Sequence, residues 1–182
     1  MLFRSAAVAR TKLCELCWES LDDPRAELRW CLSRIRRFLD EPSRARLETR
    51  GDFVRIDLSD LAVDAVTVVR AAAARFDTLA PAAQREVLDL FRGEFLEGLE
   101  LDDSPQFVVW LTAQRQKFRS LEIVLLELMA SRVPDAEAYE LLERWRALAP
   151  FDLRVHERLL AMFACRSRFR DRKSTRLNSS HT

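Results

Sequence analysis

Residues 23–39 read DPRAELRWCLSRIRRFL, and the first third of the chain is organised around this stretch. Asp23 followed by Pro24 is a helix-start signal, because aspartate accepts from the free N–H groups of a first turn and proline tolerates the first helical position. A helix is predicted over Pro24–Leu39. At about 100° per residue, Leu28, Leu32, Ile35 and Leu39 fall on one stripe flanked by Cys31 and Phe38, and that stripe is predicted to be core. The opposite side carries Arg29, Trp30, Ser33 and Arg37, with Arg25 and Arg36 on one shoulder and Arg34 on the other. Arg25, Arg29, Arg34, Arg36 and Arg37 face only Glu27, a local excess of +4. A single-signed face of this kind suits phosphates and guanine edges, both of which arginine binds.

Upstream, Leu13, Leu16 and Cys17 share one face of a short helix predicted over Thr11–Trp18, closed by the acidic run Glu19–Asp23 before the proline. Downstream, Pro42 ends the helical region and the period changes to two. Leu47 and Thr49 alternate with charged residues, Arg50-Gly51-Asp52 supplies a turn, and Val54, Ile56 and Leu58 alternate again, so Ala45–Leu58 reads as a β-hairpin. Its tip and return strand carry Arg50 and Arg55. Short helix, basic helix and hairpin follow one another as in the second half of a winged helix-turn-helix. The candidate DNA contacts are Arg25, Arg29, Trp30, Ser33, Arg36, Arg37, Arg50 and Arg55.

The rest of the chain reads as helix. Over all 182 residues there are only 3 glycines and 6 prolines, and 48% of residues are apolar, a composition that favours a helical protein with a real core over a turn-dense β fold. Helices are predicted over Val63–Phe76 and Pro81–Phe91, and Gly93 and Gly98 bracket an acidic loop running to Asp103. Ser104-Pro105 then opens a long helix to Arg132, with Val108, Leu111, Phe118, Leu121, Leu125 and Leu128 as its apolar pattern. Asp135 opens a helix over Ala136–Leu148, and Asp152 another over Leu153–Cys165. Within Glu122–Pro150, Leu125, Ala138, Leu142 and Pro150 fit a degraded tetratricopeptide template, while Leu126 and Trp145 stand where it prefers small residues. Antiparallel helix pairs stacked into an α-solenoid are the expectation, with Trp110 and Trp145 as core residues or as the edge of its groove.

Charge separates the two halves. Residues 1–62 carry a net +1 and residues 63–165 a net −5, so duplex DNA suits the first half and a protein partner the second. The basic end has a different reading: Asp171–His181, DRKSTRLNSSH, resembles the translation of a sequencing-adapter oligonucleotide. It is set aside as a read-through tail, with Ser174, Ser179, Ser180 and His181 excluded as site candidates, and the natural chain is expected to continue differently past Arg170.

Other chemistry reads as structure. Cys14, Cys17, Cys31 and Cys165 stand in or beside helical apolar patterns without a second CxxC or HxxxH, as buried small side chains in a reduced, intracellular protein. His156 sits at the edge of a Leu159, Leu160 and Phe163 face, with nothing to pair it as a catalytic base. Glu94, Glu97, Glu100, Asp102 and Asp103 read as a solvated loop, with Asp103 and Ser104 at a helix cap. No catalytic constellation, metal site or cofactor motif is found, so an enzyme is not expected. The absence of an apolar run of about 18 residues makes a soluble, cytoplasmic protein the expectation.

Two runs resemble a known family. Leu16–Leu39, LCWESLDDPRAELRWCLSRIRRFL, resembles the second and third helices of the DNA-binding domain in the Streptomyces antibiotic regulatory protein (SARP) type of bacterial activator. Phe91–Arg119, FRGEFLEGLELDDSPQFVVWLTAQRQKFR, is similar to the hallmark of the bacterial transcriptional activator domain that follows it, through Gly-Glu-Phe-Leu, Leu-Asp-Asp and the spacing of Trp110 and Arg115. The resemblance spans about residues 8–168. It implies a mainly α fold: an OmpR-like winged helix, partial here, over 1–60, then a tetratricopeptide-like helical domain over 61–168. It also implies promoter-repeat recognition and RNA polymerase recruitment, with Pro24–Leu39 as recognition helix, Arg29, Ser33, Arg36 and Arg37 as DNA contacts, and Arg50 to Arg55 as the wing. A homodimer is a further possible assembly. Such a domain opens with a small β-sheet and a first helix, for which Met1–Arg10 is expected to be too short. The alternative reading is a helical protein-interaction module whose DNA-binding half is too incomplete to work.

Overall fold

The computed structural model describes residues 7–18, 21–101 and 104–164. Cys165, Asp102, Asp103 and the tail Asp171–His181 lie outside the described residues. The chain is mainly helical with one small three-stranded antiparallel sheet. Contacts group it into two compact units, the first of residues 1–75 and 89–118, the second of residues 76–88 and 119–182.

In the first unit, β1 (Val8–Ala9) leads into α1 (Arg10–Cys17), and α2 (Pro24–Leu39) follows after a turn. α2 has the predicted bounds, and its cap is the predicted one: Asp23 Oδ1 accepts from the Ala26 N–H at 2.9 Å. At its other end the Asp40 carboxylate accepts from the N–H groups of Arg46 and Leu47 at 2.8 and 3.0 Å, which fixes where the chain enters β2 (Leu47–Arg50). A two-residue turn leads to β3 (Phe53–Ile56), with Gly51 at φ 58° in the first central position. That left-handed conformation is open to glycine without steric cost.

The sheet order is β1-β3-β2, with Val8 opposite Val54 and Ala9 opposite Phe53. Of Met1–Arg10, the described residues contribute this one two-residue strand, not a separate sheet with a helix before it. Two residues suffice because β3 offers a free edge, and the Arg10 N–H extends the pairing by donating to the Asp52 carbonyl at 2.7 Å. Alternation places Leu47 and Val54 on the inner face, where they join Cys14, Leu28 and Leu32 in one buried cluster.

The predicted core stripe of α2 is only partly core. Leu28 and Leu32 are buried, Leu39 is half-buried, Ile35 is exposed and Phe38 is 88% exposed. α1 and the hairpin pack on the stripe at Leu28 and Leu32, and the exposed side chains of Ile35 and Phe38 lie toward its C-terminal end.

The first unit also holds α3 (Asp64–Ala73) and the first part of α5 (Pro105–Ala130). α3 stops short of Phe76 because Arg75 takes a left-handed φ of 70°, and Phe76 starts a separate 3-10 turn, Phe76–Thr78. The Gly93–Gly98 loop folds onto α5. Phe95 stacks on Phe118 with ring centroids 4.7 Å apart and meets Trp110 edge-on at 6.4 Å. Arg115 donates to the Phe95 and Leu96 carbonyls at 3.1 and 2.9 Å. The Gly-Glu-Phe-Leu segment, Trp110 and Arg115, noted together in the sequence, thus meet in space. Ser104 stands immediately before α5, in the expected cap position, and its hydroxyl donates to the Cys17 carbonyl at 2.6 Å. Val108, placed in the apolar pattern of this helix, is exposed.

The second unit contains α4 (Pro81–Leu88), the remainder of α5, α6 (Asp135–Leu148) and α7 (153–164). α4 ends before Phe91, and Asp135 is the first residue of α6 rather than its cap, with Pro134 in the capping place. Leu125, Leu126, Trp145 and Val155 are fully buried. Trp145 is therefore core and not a groove edge. Its indole N–H donates to Asp152 Oδ2 at 3.1 Å, and the Arg154 and Arg158 guanidinium groups lie 5.3 and 5.9 Å from the ring centroid. His156 is held through Nε2, 2.7 Å from the Pro150 carbonyl oxygen. The face assigned to it is split, since Leu159 is buried, Leu160 is exposed, and Phe163 is half-exposed with one edge against Tyr139.

Candidate nucleic-acid interface

The eight candidate side chains lie on two elements, α2 and the β2–β3 hairpin. Arg25, Arg29, Trp30, Ser33 and Arg37 are exposed on α2. Trp30 stands near the middle of the outward face, with the Arg34 guanidinium over its ring, 4.8 Å from the centroid. An arginine held by an indole in this way loses less rotamer entropy on binding than a free one. The sequence pattern gives Arg34 only a shoulder position, and the i, i+4 spacing from Trp30 is the sequence signal for the contact.

Two of the arginines have weak carboxylate neighbours. Arg29 is 3.9 Å from Asp23, and Arg25 is 3.8 Å from Asp52 in the hairpin turn. Both pairs are solvent-exposed, where such contacts contribute about 0–1 kcal/mol, so they do not compete seriously with a phosphate. Arg37 makes no hydrogen bond or ion pair among the described residues.

Arg36 differs from its neighbours. It is half-buried, and its Nη2 donates to the Thr49 hydroxyl at 2.7 Å. The side chain ties α2 to β2, so Arg36 is engaged within the fold where the other α2 candidates are exposed. Thirteen residues separate the partners, a pairing that helical periodicity cannot register.

On the hairpin, the register pairs Glu48 with Arg55 and Arg50 with Phe53. Directly opposed residues share a face, so Arg50 and Arg55 lie together on the outward side and Thr49 and Val54 on the inward side. Arg50 is almost fully exposed, with Glu48 at 3.9 Å. A shallow hollow lined by Ala7, Glu48, Arg50, Phe53 and Arg55 runs across this face.

The base of the hairpin carries two more arginines that the sequence reading did not single out. Arg46 is buried and forked onto both oxygens of Asp60 at 2.6 and 3.0 Å, with Glu41 at 2.7 Å. Arg44 binds Asp57, Asp60 and the Ser59 hydroxyl. The Arg44 and Ser59 hydrogen bonds hold the Asp57 carboxyl well below the usual carboxylate range, and the Arg46 hydrogen bond lowers that of Asp60. These five bonded charges, Arg44, Arg46, Glu41, Asp57 and Asp60, form a clasp that fixes the hairpin on its stem and engages both arginines.

Cys14, Cys17 and Cys31 are free thiols whose pKa burial pushes up. Cys14 is packed in the core beside α2, with its Sγ 3.5 Å from the Pro24 carbonyl oxygen. Among the described residues, no helix is long and apolar enough to cross a membrane.

Compared with protein-family models, with curated proteins and with solved structures, the chain finds no match in any of the three.

Proposed function

We propose that this protein is a DNA-binding transcriptional activator of the cytoplasm. In this reading α2 enters the major groove, the hairpin is a wing on the flanking backbone, and the helices after residue 61 bind RNA polymerase. The observation that carries it is the outward face of α2. Arg29, Trp30, Ser33 and Arg37 are exposed there with no acid among them, beside a hairpin whose own outward face adds Arg50 and Arg55. Helix, turn, helix and hairpin, closed by a third strand, are the parts a winged helix-turn-helix uses to dock. The resemblance of Leu16–Leu39 and Phe91–Arg119 to the SARP type of activator points the same way.

Arginine chemistry divides the labour. Exposed donors on α2 suit base edges, where a bidentate contact is worth about 1–3 kcal/mol of discrimination. Arg50 and Arg55 suit phosphates, which position the protein without reading sequence. The alternative, an interaction module without DNA binding, draws its support from the front of the domain, where the described residues supply only the strand Val8–Ala9.

The test is in vitro selection by the full chain from a randomised duplex library, followed by titration of the selected duplex over a range of salt. Affinity should fall with salt at a log–log slope of about −4, as expected for four or five phosphates neutralised. A chain that selects no sequence and binds no duplex at low salt is instead the interaction module.

A further inference from the structure

On the outward face of α2, Trp30 is the residue that charge does not account for. A single exposed aromatic is ordinary on a protein surface, and what singles out Trp30 is its setting. Ser33, Arg34 and Arg37 follow it at i+3, i+4 and i+7, so all three are its neighbours on one side of the helix, and all are exposed. The Arg34 guanidinium lies over the indole, 4.8 Å from its centroid, yet Trp30 is still 57% exposed. The arginines of this face suit phosphates and guanine edges. An indole among them needs an apolar partner.

We infer that Trp30 reads the C5 methyl group of a thymine in the major groove, with Arg34 as the residue that positions the indole. The inference rests on the reading of α2 as a recognition helix, and complementarity carries it. In unmodified DNA the major-groove edges of adenine, guanine and cytosine present hydrogen-bond donors and acceptors, and thymine adds the one apolar group, its methyl. An indole pressed on another edge takes water from polar groups and leaves them unpaired, which is unfavourable. Against the methyl, the same face removes apolar area from water on both sides of the contact.

Arg34 acts through Trp30. A cation over the ring restricts the indole before DNA arrives, so less side-chain entropy remains to be lost on binding. Lysine at this position keeps the charge but lacks the planar guanidinium that suits an aromatic face. Arg34→Lys therefore separates positioning of the indole from attraction to phosphates.

The experiment titrates the full chain with the selected duplex after each thymine in turn is replaced by deoxyuridine, which removes the methyl and keeps the O4 acceptor and the base pairing. At one position the replacement should weaken wild-type binding about fourfold, the effect of one buried methyl. Trp30→Ala should be indifferent to the replacement there. Trp30→Phe should keep most of the discrimination, because it retains an apolar ring and has no N–H. Arg34→Lys should discriminate less than the wild type at an unchanged salt slope. Circular dichroism should show all three variants folded with unchanged melting temperatures, since both side chains are exposed. A wild type that binds the selected duplex with its salt dependence but ignores every replacement overturns the methyl contact and leaves the recognition helix standing. A chain that binds no duplex overturns both. Discrimination that survives in Trp30→Ala assigns the methyl to another residue, and its loss in Trp30→Phe makes the indole N–H the reading group; either result overturns the inference. Arg34→Lys with wild-type discrimination overturns the positioning role of Arg34.

Discussion

Arg36 and Arg37 are adjacent in sequence, equal in charge and expected to fail in opposite ways. Arg36→Ala removes a charge-assisted bond to the Thr49 hydroxyl, 2.7 Å long, that joins α2 to β2. Hydrogen bonds to charged groups contribute about 1.5–3 kcal/mol, and at a half-buried site solvent screening brings this to the low end, about 1–1.5 kcal/mol. For a unit of this size that corresponds to a fall of about 4–8 °C in melting temperature. Thr49→Val removes the acceptor at constant charge and should reproduce most of the loss, and the double variant should show coupling of about 1 kcal/mol. Arg37→Ala touches no partner among the described residues and should leave stability within about 0.5 kcal/mol. Its loss should appear in binding, about 1–3 kcal/mol on the selected duplex, roughly a fivefold to hundredfold rise in Kd. Thermal unfolding followed by circular dichroism, with fluorescence anisotropy on the same preparations, reads both quantities. Equal stability losses for the two arginines, or an Arg36→Ala variant as stable as wild type but as poor at binding as Arg37→Ala, would refute the division.

Arg50→Ala should weaken selected and unselected duplexes by similar factors and flatten the salt slope by about 1, as loss of one phosphate contact does; titration of both duplexes at several salt concentrations checks it. Trp145→Ala should destabilise the second unit by about 3–5 kcal/mol, the cost of emptying a fully buried aromatic site, and chemical denaturation should show the earlier transition. Asp57 and Asp60 have pKa values lowered in the folded state by Arg44 and Arg46. Their stabilisation is complete above the unfolded carboxylate pKa of about 3.9 and is lost as pH falls through the lower folded values. Unfolding monitored from about pH 5 to pH 2 should therefore steepen below about pH 4, and the Asp57→Asn/Asp60→Asn double variant should lose that part of the profile.

Elements with a local signal were legible in the residues themselves. The Asp23-Pro24 start, the bounds Pro24–Leu39, the turn at Gly51 and the helices after residue 61 rest on caps, proline and glycine geometry, and hydrophobic period, all of which act within a few residues. The tertiary structure decided whatever depends on a neighbour distant in sequence. A two-residue strand has no period to detect, and Val8–Ala9 becomes one only because β3 leaves an edge open. An apolar stripe announces that a helix could be buried, yet Ile35 and Phe38 on α2 and Leu160 on α7 remain exposed, and Phe163 meets only the edge of the Tyr139 ring. Arginine is equally plausible as ligand for a phosphate, a carboxylate or a hydroxyl. Only three-dimensional proximity separates Arg46, clasped by Asp60 and Glu41, and Arg36, bound to Thr49, from Arg37, which faces open solvent.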